Sequence, residues 1–495
     1  MKIPVLAQSC AVEAVDDALE AYLRLRQKYA DDALFLLESL SGPERVCTQS
    51  IVGFEPLITF SVQGHTARFG HFAVPIIAQA VAEFLGKKVA ETYEVPVKNM
   101  HDVMHLLREI EALFEPLSVC DGVNGLGWFG YFGYDTIFLI EQIVQKIPRD
   151  GTIPVISLAV YRGVIHYHAT TQKQTLTMLQ FPQEEPCVLE SIIEVLQNSV
   201  ELPSVISEDP SYETIPTVGK KDYLSWFELA KRHIDIGDIY QIQIGHELKI
   251  RSEYSPIQVY MRMRSNNPSP YMFLCTTPFA VTLIGASPEM FTNLDQHGKV
   301  VMRPIAGTVR NPVDSQERVA IIKQLKNDTK EIAEHVMLVD LCRNDIARCC
   351  IPTTLCVDEL MVTEIYSHVI HLVSNVIGTM KNGLDKFDAI AATFPAGTMT
   401  GTPKVKAVEI IEQLERTPRE AYAGTVGYFG FNNIMISALC IRMAICRQGI
   451  YSIRASGGIV EDSTAEGEWN ETISKLSAAY LAITNKELRS ESFTR

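Results

Sequence analysis

The sequence predicts a globular protein that mixes helices and strands. Apolar residues recur at helical spacing in several stretches, among them 75–87, 100–115 and 221–235, whereas 57–62 alternates apolar and polar residues as a strand does. The composition is ordinary for a globular chain, with 495 residues, 47% hydrophobic and 21% charged. This length corresponds to two to four domains or to one large interlocked body.

The net charge of -15 argues against a general binder of nucleic acids or of anionic membranes. No apolar run reaches the roughly 18 residues of a membrane span, so no membrane contact is expected. The 11 cysteines include no CxxC pair, and Cys349 is directly followed by Cys350. Because residues 1–4 do not begin a signal peptide, we expect reduced thiols in a cytoplasmic protein.

The N-terminal half contains elements of both kinds up to a stretch that lacks either pattern. Predicted helices cover 12–30, 75–87 and 100–115, and predicted strands cover 33–39, 49–56, 57–62, 125–135, 154–168 and 175–179. From 201 to 220 the pattern fades among three prolines and polar residues, which predicts a linker.

The C-terminal half repeats the mixture. Predicted helices cover 221–235 and 256–264 and begin again near 328, 403 and 465, and predicted strands cover 238–244, 366–374, 435–444 and 451–455. In the loop 394–404, Thr402 is a predicted N-cap and Pro403 fits the first helical position. Such a loop can present N–H groups to an anion, or it can simply be a well-capped structural helix.

A predicted helix that begins at Asp328 carries Glu331 and Glu334 on one face of its first turn. Its apolar stripe is predicted at Ile332, Val336 and Val339. Two neighbouring carboxylates repel each other unless a cation lies between them, and Mg²⁺ prefers such oxygen ligands. The alternative is a capped and solvated helix start.

The last helix repeats this arrangement. Residues 463–466 are typical of a capping box, which would give Glu466 a structural role. Glu468 and Glu471 follow three residues apart, and Lys475 can pair with Glu471. Two such pairs would form a cage of four carboxylates around a divalent cation, with positions left for a substrate.

Arg442 lies in an apolar run, 439–444, where an unpaired charge would be costly to bury. A bound carboxylate would pair with its guanidinium bidentately. The alternatives are an Asp or Glu of the protein, or exposure to water.

These motifs together resemble the chorismate-utilising enzymes. The resemblance rests on 329–345, 366–374, 395–404 and 466–471 and covers essentially all of 220–485, with weaker motifs at 36–39, 53–56 and 130–135. It implies an α+β fold of two antiparallel sheets packed nearly orthogonally, with helices outside. It also implies an N-terminal regulatory segment (1–200), a linker (201–220) and a catalytic segment (221–495), with chorismate as substrate and Mg²⁺ as cofactor.

The resemblance assigns roles to matching residues. The Mg²⁺ ligands would be Glu331, Glu334, Glu468 and Glu471, and the ion would bind the ring carboxylate of chorismate, which Thr398 also contacts. Groups for the pyruvyl carboxylate would be Tyr422, Arg442, Gly457 and Gly458. Glu289 would protonate the departing C4 hydroxyl, which requires a raised pKa. His371, rather than His368, would serve pyruvate elimination.

Two positions distinguish members of the family. Gln241 stands where water-using members carry a lysine general base, and Ala306 stands where aminodeoxychorismate synthases carry a nucleophilic lysine. The resemblance therefore favours the anthranilate synthases, whose ammonia comes from a separate glutamine amidotransferase in a hetero-oligomer. The alternatives are an amino-deoxyisochorismate synthase that keeps the pyruvyl group, an aminodeoxychorismate synthase, and a non-catalytic tryptophan-binding relative.

The resemblance also implies feedback inhibition by L-tryptophan. Its site would comprise Glu38, Ser39, Pro270, Tyr271, Met272, Val426 and Tyr428. The alternative for these segments is a strand end and core packing. The sequence departs from the family pattern at 243–247, 309–312, Thr402 and Ala465, and the first of these lies near Gln241.

Overall fold

The computed structural model describes residues 1–489 except 13, 14, 16, 118–124, 170, 172, 183, 185–188, 201–209, 367 and 368. His368, most of the predicted linker, and parts of the predicted helix 12–30 and of the predicted strand 366–374 therefore lie outside the described residues. Within them, no helix is both long and apolar enough to cross a membrane.

Strands and helices are interspersed along the chain. The strands are β1 (Ile3–Ala11), β2 (Leu34–Glu38), β3 (Gln49–Gln63), β4 (Thr66–Gly70), β5 (Tyr93–Pro96), β6 (Phe114–Pro116), β7 (Gly127–Phe132), β8 (Ile156–His168), β9 (Lys173–Gln180), β10 (Tyr212–Pro216), β11 (Gln241–Ser252), β12 (Tyr271–Thr276), β13 (Val281–Ser287), β14 (Asn293–Leu294), β15 (Lys299–Met302), β16 (Ile305–Arg310), β17 (Cys356–Ile365), β18 (Val369–Thr379), β19 (Gly401–Thr402), β20 (Thr425–Gly430), β21 (Met435–Leu439), β22 (Met443–Arg447) and β23 (Ile450–Ile459). The helices are α1 (Ala18–Leu25), α2 (Pro75–Phe84), α3 (Met100–Leu113), α4 (Ile137–Ile140), α5 (Leu189–Gln197), α6 (Lys220–Asp235), α7 (Pro256–Asn266), α8 (Ser315–Leu325), α9 (Thr329–Ala347), α10 (Lys386–Thr393), α11 (Lys404–Leu414) and α12 (Ala465–Thr484).

The strands pair into two antiparallel sheets that share β3 and β8. The first runs β5-β4-β3-β8-β7-β20-β21-β14-β15-β18, with β16 and β17 also paired to β18. The second runs β10-β11-β23-β22-β13-β12-β2-β3-β8-β9-β1, with β19 paired to β11. The α+β fold class with antiparallel sheets is confirmed.

Two long strands pass from one sheet into the other. Residues 51–54 of β3 pair with β2, and residues 59–63 pair with β4. Between them Glu55 has a positive φ of 60°, and the register with β8 shifts between Pro56 and Ile58. Gly163 of β8 allows this bend to pack closely, because an added Cβ would lie 2.0 Å from the Phe54 ring. The predicted strands 49–56 and 57–62 are thus one bent strand.

Both sheets contain strands from both predicted segments. β2 pairs with β12, and β7 pairs with β20. β10 lies inside the stretch predicted as a linker and pairs with β11. Residues 1–200 and 221–495 therefore share their sheets and their hydrophobic core.

Four local predictions differ from the structure. α1 covers only Ala18–Leu25 of the predicted helix 12–30, and the other described residues of that range are not helical. Val336 on α9 is 42% exposed, because the buried face begins at His335, whose Nε2 lies 2.6 Å from Ser374 Oγ, and continues through the predicted Val339. Thr402 is not the N-cap of α11: it lies in β19, where its carbonyl accepts from Tyr240 N–H at 2.7 Å.

The fourth difference is at the start of α12. Thr464 caps the helix by accepting from Gly467 N–H, so the capping box predicted for Glu466 does not form. Glu466 instead pairs with Lys220 across 2.6 Å. Glu468 and Glu471 still lie on the first turns of this helix, as predicted.

Candidate active site

A cavity of about 480 Å³ lies where both sheets meet α9 and α12. Its walls come from the start of β11, the residue pair after β13, β16, β18, the loop before β19, the turn between β21 and β22, and the end of β23. The lining includes eleven of the predicted site residues: Gln241, Glu289, Glu331, Glu334, His371, Thr398, Tyr422, Arg442, Gly458, Glu468 and Glu471. Side chains separated by up to 230 positions in the sequence thus meet in one cavity.

Four carboxylates occupy the side of the cavity formed by α9 and α12. Burial, together with repulsion from Glu331 and Glu471, raises the pKa of Glu334 to about 7. Burial and the nearby Glu471 also raise the pKa of Glu468. Glu468 Oε1 accepts from Ser463 Oγ at 2.7 Å, but its buried Oε2 has no hydrogen-bond partner among the described residues. Glu471 pairs with Lys475, whereas the repulsion among the carboxylates is felt at Glu334 and Glu468.

Arg442 lies on the cavity wall with a positive φ of 51°. Within the described residues its guanidinium forms no hydrogen bond or ion pair, so a protein carboxylate is not the partner that its charge needs. Burial lowers its pKa from the ordinary value. Nearby, the Tyr422 hydroxyl donates to Ser456 Oγ at 3.2 Å. This wall can therefore accept a carboxylate group from a ligand.

Glu289 is a buried carboxyl group, 9% exposed, just beyond β13. Burial raises its pKa to about 8, although the Thr398 hydroxyl donates to its Oε1 at 3.1 Å. Glu289 is therefore mostly protonated at pH 7, as the sequence prediction requires, and can donate a proton into the cavity.

His371 is also buried, with its Nδ1 2.9 Å from Thr308 Oγ1. Burial, with a further contribution from Arg442, lowers its pKa to about 4. The imidazole is therefore neutral at pH 7. A neutral imidazole that faces a cavity can accept a proton.

Gln241 and Ala306 lie on the cavity wall at the positions that distinguish family members. Gln241 Nε2 donates to Glu334 Oε1 at 3.3 Å, and its buried Oε1 has no partner. Gly458 permits close packing here, because an added Cβ would lie 2.7 Å from Gln243 Nε2. Gly457 lies just behind the wall, where a Cβ would lie 2.7 Å from Glu468 Oε2.

A buried ionic network supports the floor of this cavity. Arg419 donates to the carbonyls of Met399 and Gln243, each at 2.7 Å, and to Glu415. Glu415 also accepts from Gly245 N–H at 2.8 Å and from Arg454 at 2.5 Å. Burial alone would raise the pKa of Glu415, but the two arginines lower it below its ordinary value. The network fixes the backbone on either side of Thr398 and Gln241.

A second, smaller cavity of about 80 Å³ lies where β2 meets β12. Its lining includes six of the predicted tryptophan contacts: Glu38, Ser39, Pro270, Tyr271, Met272 and Val426. The Ser39 hydroxyl donates to the Pro270 carbonyl at 2.7 Å. The Glu38 carboxylate accepts hydrogen bonds from the Tyr260 hydroxyl and from Arg264 Nε. Tyr428 is not among the described lining residues, since its buried hydroxyl donates to the Leu126 carbonyl.

Residues 57–480 match the family model of the chorismate binding enzymes. This chain is a chorismate binding enzyme. It is 40% identical to the 2-amino-4-deoxychorismate synthase of Streptomyces globisporus over 479 residues, which is 95% of each chain. It is 33% identical to anthranilate synthase component 1 of Acinetobacter calcoaceticus over 97% of this chain and 95% of that one.

Solved structures show the same fold. Anthranilate synthase component I of Streptococcus pneumoniae superposes with a TM-score of 0.72 and 28% identity, over 87% of this chain and 92% of that one. The isochorismate synthase MenF of Escherichia coli superposes with a TM-score of 0.70 at 17% identity, over 97% and 95%. The second likeness extends only to the fold.

The family resemblance in the sequence implies a Mg²⁺ ion, which the four glutamates would hold. In the described part of this chain, no three His, Cys, Asp or Glu side chains converge closely enough to form a ready ligand set. The buried, partnerless Oε2 of Glu468 and the raised pKa of Glu334 nevertheless fit a site that a cation would neutralise. The donor set fits Mg²⁺, and its binding stays a prediction.

Several residues of the cavity were not predicted from the sequence. Gln243 lies two positions after Gln241 on β11, and Thr308 lies two after Ala306 on β16. The two-residue period of a strand could have revealed both. Lys475 was predicted to pair with Glu471, and it does, but its Nζ also donates to the Ser456 carbonyl at 2.9 Å. No local pattern predicts that contact between distant elements.

Proposed function

We propose that this chorismate binding enzyme aminates chorismate at C2 with loss of the C4 hydroxyl. The observation that carries the proposal is Glu289, a protonated acid that is buried in the cavity wall at pH 7. Gln241 cannot deprotonate water as a lysine base does, and Ala306 cannot form a covalent adduct with the substrate. Ammonia needs neither group.

In the proposed reaction the nitrogen of ammonia forms a bond to C2 while the ring double bonds shift and the C4–O bond breaks. Glu289 gives its proton to the departing oxygen, which leaves as water. Arg442 and Tyr422 bind one carboxylate of the substrate, and Thr398 lies near the other. Bound at the four glutamates, Mg²⁺ would supply positive charge to the ring carboxylate.

Our first candidate for the final product is anthranilate, formed together with pyruvate. Elimination removes the proton at C2 and expels the pyruvyl group, and a neutral base must face the ring to accept that proton. His371 is neutral and lies on the cavity wall, which supports this step. The activity is then that of a lyase that begins tryptophan biosynthesis.

The second candidate product is 2-amino-4-deoxychorismate, which keeps the pyruvyl group. It is favoured by the relative at 40% identity, which is the synthase of that compound, over the relative at 33% identity, which is an anthranilate synthase component. The two candidates share the amination and differ only in the later elimination.

Product analysis tests the proposal. The purified chain is given chorismate, Mg²⁺ and ammonium at alkaline pH, and products are separated by chromatography while pyruvate is measured. Anthranilate with equimolar pyruvate supports the first candidate, and 2-amino-4-deoxychorismate without pyruvate supports the second. Formation of 4-amino-4-deoxychorismate or of isochorismate would overturn amination at C2.

We propose two further interactions from the same resemblance. A separate glutamine amidotransferase subunit would supply ammonia in a hetero-oligomer. L-Tryptophan would bind the second cavity, whose walls come from both predicted segments, and so alter the active site at a distance.

A further inference from the structure

A buried charge cluster lies between the two cavities. Its centre is Glu364 on β17, which is 4% exposed. Glu364 accepts from Arg45 Nε at 3.0 Å, from the Tyr366 hydroxyl at 3.0 Å, and from the guanidinium of Arg303. These donors come from the segment before β3, from the residues after β17 and from the turn before β16. Charge-assisted hydrogen bonds of this kind fix the positions of their partners strongly.

One member of this cluster packs directly on His371. The rings of Tyr366 and His371 have centroids 5.1 Å apart and meet at 72°, an edge-to-face arrangement. The Thr308 hydroxyl is the second contact, at Nδ1. Tyr366 is itself fixed twice, since its hydroxyl donates to Glu364 and its carbonyl accepts from Asn311 Nδ2 at 2.9 Å. The orientation of His371 therefore depends on where Glu364 holds Tyr366.

The other side of the cluster forms part of the second cavity. Arg45 lines that cavity and pairs with Glu364. A change in the wall of the second cavity at Arg45 thus reaches Tyr366 through the carboxylate of Glu364, which both side chains contact.

We propose that Glu364 and Tyr366 are positioning residues for His371, and that Arg45 connects that position to the second cavity. The assignment rests on the proposed function for the role of His371, but its structural part does not. Occupancy of the second cavity that displaces Arg45 changes the set of donors on Glu364, and hence the placement of Tyr366 against the imidazole. The connection ends at His371, the group proposed for elimination.

The test observes His371 directly in the full chain. Protein labelled with ¹³C at the histidine Cε1 position gives one ring signal per histidine, and the His371 signal is identified by its absence in His371→Met. Tyr366→Phe keeps the ring but removes the hydroxyl bond to Glu364. Arg45→Gln removes one donor at the cavity wall and leaves Arg303 in place. We expect both variants to shift the His371 signal, with the larger shift in Tyr366→Phe.

Matched controls exclude general loosening of the fold. Tyr131→Phe removes a buried hydroxyl bond to the Pro154 carbonyl, and Arg26→Gln removes an ion pair with Asp31. Both controls should leave the His371 signal unchanged. An unchanged signal in both Tyr366→Phe and Arg45→Gln, or an equal shift in the controls, would overturn the inference.

A second readout separates this inference from the proposed function. In a wild-type protein that releases pyruvate, Tyr366→Phe should lower the ratio of pyruvate formed to chorismate consumed by roughly tenfold, because a misplaced catalytic group loses rate steeply. A ratio unchanged from wild type would count against the inference. Absence of chorismate consumption by the wild-type chain would overturn the proposed function alone, since the ring signal is measured without substrate.

Discussion

Glu289 keeps its proton at neutral pH because its carboxyl group is buried and, among the described residues, receives one hydrogen bond, from Thr398. A carboxylate in such a place would need several donors to remain ionised. His371 has the opposite property, since burial keeps its imidazole neutral and able to accept a proton. One wall of the cavity therefore offers an acid and another offers a base at the same pH.

The acid predicts a pH limit on amination. Glu289 is protonated below its pKa of about 8, so the rate at a constant concentration of un-ionised ammonia should fall as pH rises through about 8. Glu289→Gln should lose roughly 10²- to 10⁴-fold in turnover and should no longer show this limb. Glu420→Gln is the control, because the pKa of Glu420 is also raised to about 8 although it does not line the active-site cavity. A limb that survives in Glu289→Gln would remove Glu289 from the acid role.

The base predicts a separation of the two half-reactions. His371→Met should slow pyruvate loss more than amination, so that 2-amino-4-deoxychorismate accumulates when chorismate and ammonium are supplied. Chromatography against time measures both compounds. Equal loss of the two steps, with no intermediate detected, would show that His371 is not specific to elimination. Thr308→Val is an informative companion, since it removes the hydroxyl at His371 Nδ1 and should shift the same balance less strongly.

At the scale of elements, the first turns of α9 and α12 present their carboxylates to the same space. Each helix satisfies its own N-terminus with a separate residue, Asp328 in α9 and Thr464 in α12. The glutamates are therefore not needed as caps and remain available to a ligand. The cost is mutual repulsion, which adds to burial in raising the pKa of Glu334.

This repulsion predicts opposite effects of one substitution with and without metal. Glu468→Gln should leave the unfolding free energy unchanged or raise it by about 0.2–0.5 kcal/mol in EDTA, because one like charge is removed. The same variant should weaken Mg²⁺ binding measured by calorimetry, and turnover of the wild type should stop in EDTA. Glu466→Gln, on the exposed side of α12 next to Lys220, is the matched control. Full turnover of the wild type in EDTA would rule out the metal.

Individual helices and strands show which features the sequence predicts and which it does not. The two glutamate pairs were predicted from helical spacing, because that spacing alone places their side chains on one face. The buried face of α9 was predicted in part: Val339 is buried, but Val336 is exposed. His335 takes a buried position through its hydrogen bond with Ser374, 39 residues away, where polarity alone suggests exposure. The bend at Glu55 and Pro56 was interpreted as a break between strands, since local sequence does not show that pairing with β8 continues past it. The two-sheet architecture itself came from family resemblance, because periodicity gives elements and not their partners.

Across the whole molecule, β2 of the N-terminal segment pairs with β12 of the C-terminal segment, and the second cavity lies along this seam between the two segments. Ser39 already bridges this seam through its bond to the Pro270 carbonyl. A ligand at the seam can bias the placement of the two walls only if it binds one arrangement more tightly, and typical couplings are about 1–3 kcal/mol.

The seam predicts a variant that is resistant to inhibition. Ser39→Phe should retain amination without tryptophan but should resist inhibition, because the phenyl group fills the cavity and leaves no hydroxyl for a ligand. Ser39→Thr keeps a hydroxyl and should remain sensitive. The measurement is initial rate against tryptophan concentration for the three proteins, each with its amidotransferase. Absence of inhibition of the wild type at millimolar tryptophan would leave this cavity without its proposed ligand.

The strand pairs that connect the two predicted segments have a consequence for how this protein can change over evolutionary time. A regulatory module attached by a flexible tether can be lost by deletion of a gene segment, and the catalytic part survives. Here such a deletion would remove β7 from beside β20 and β2 from beside β12, which would leave two catalytic strands with open edges. If tryptophan inhibits through the N-terminal segment, as proposed, descendants escape that control by point substitutions inside an intact chain. Inheritance of residues 221–495 as a folded unit entails inheritance of residues 1–200.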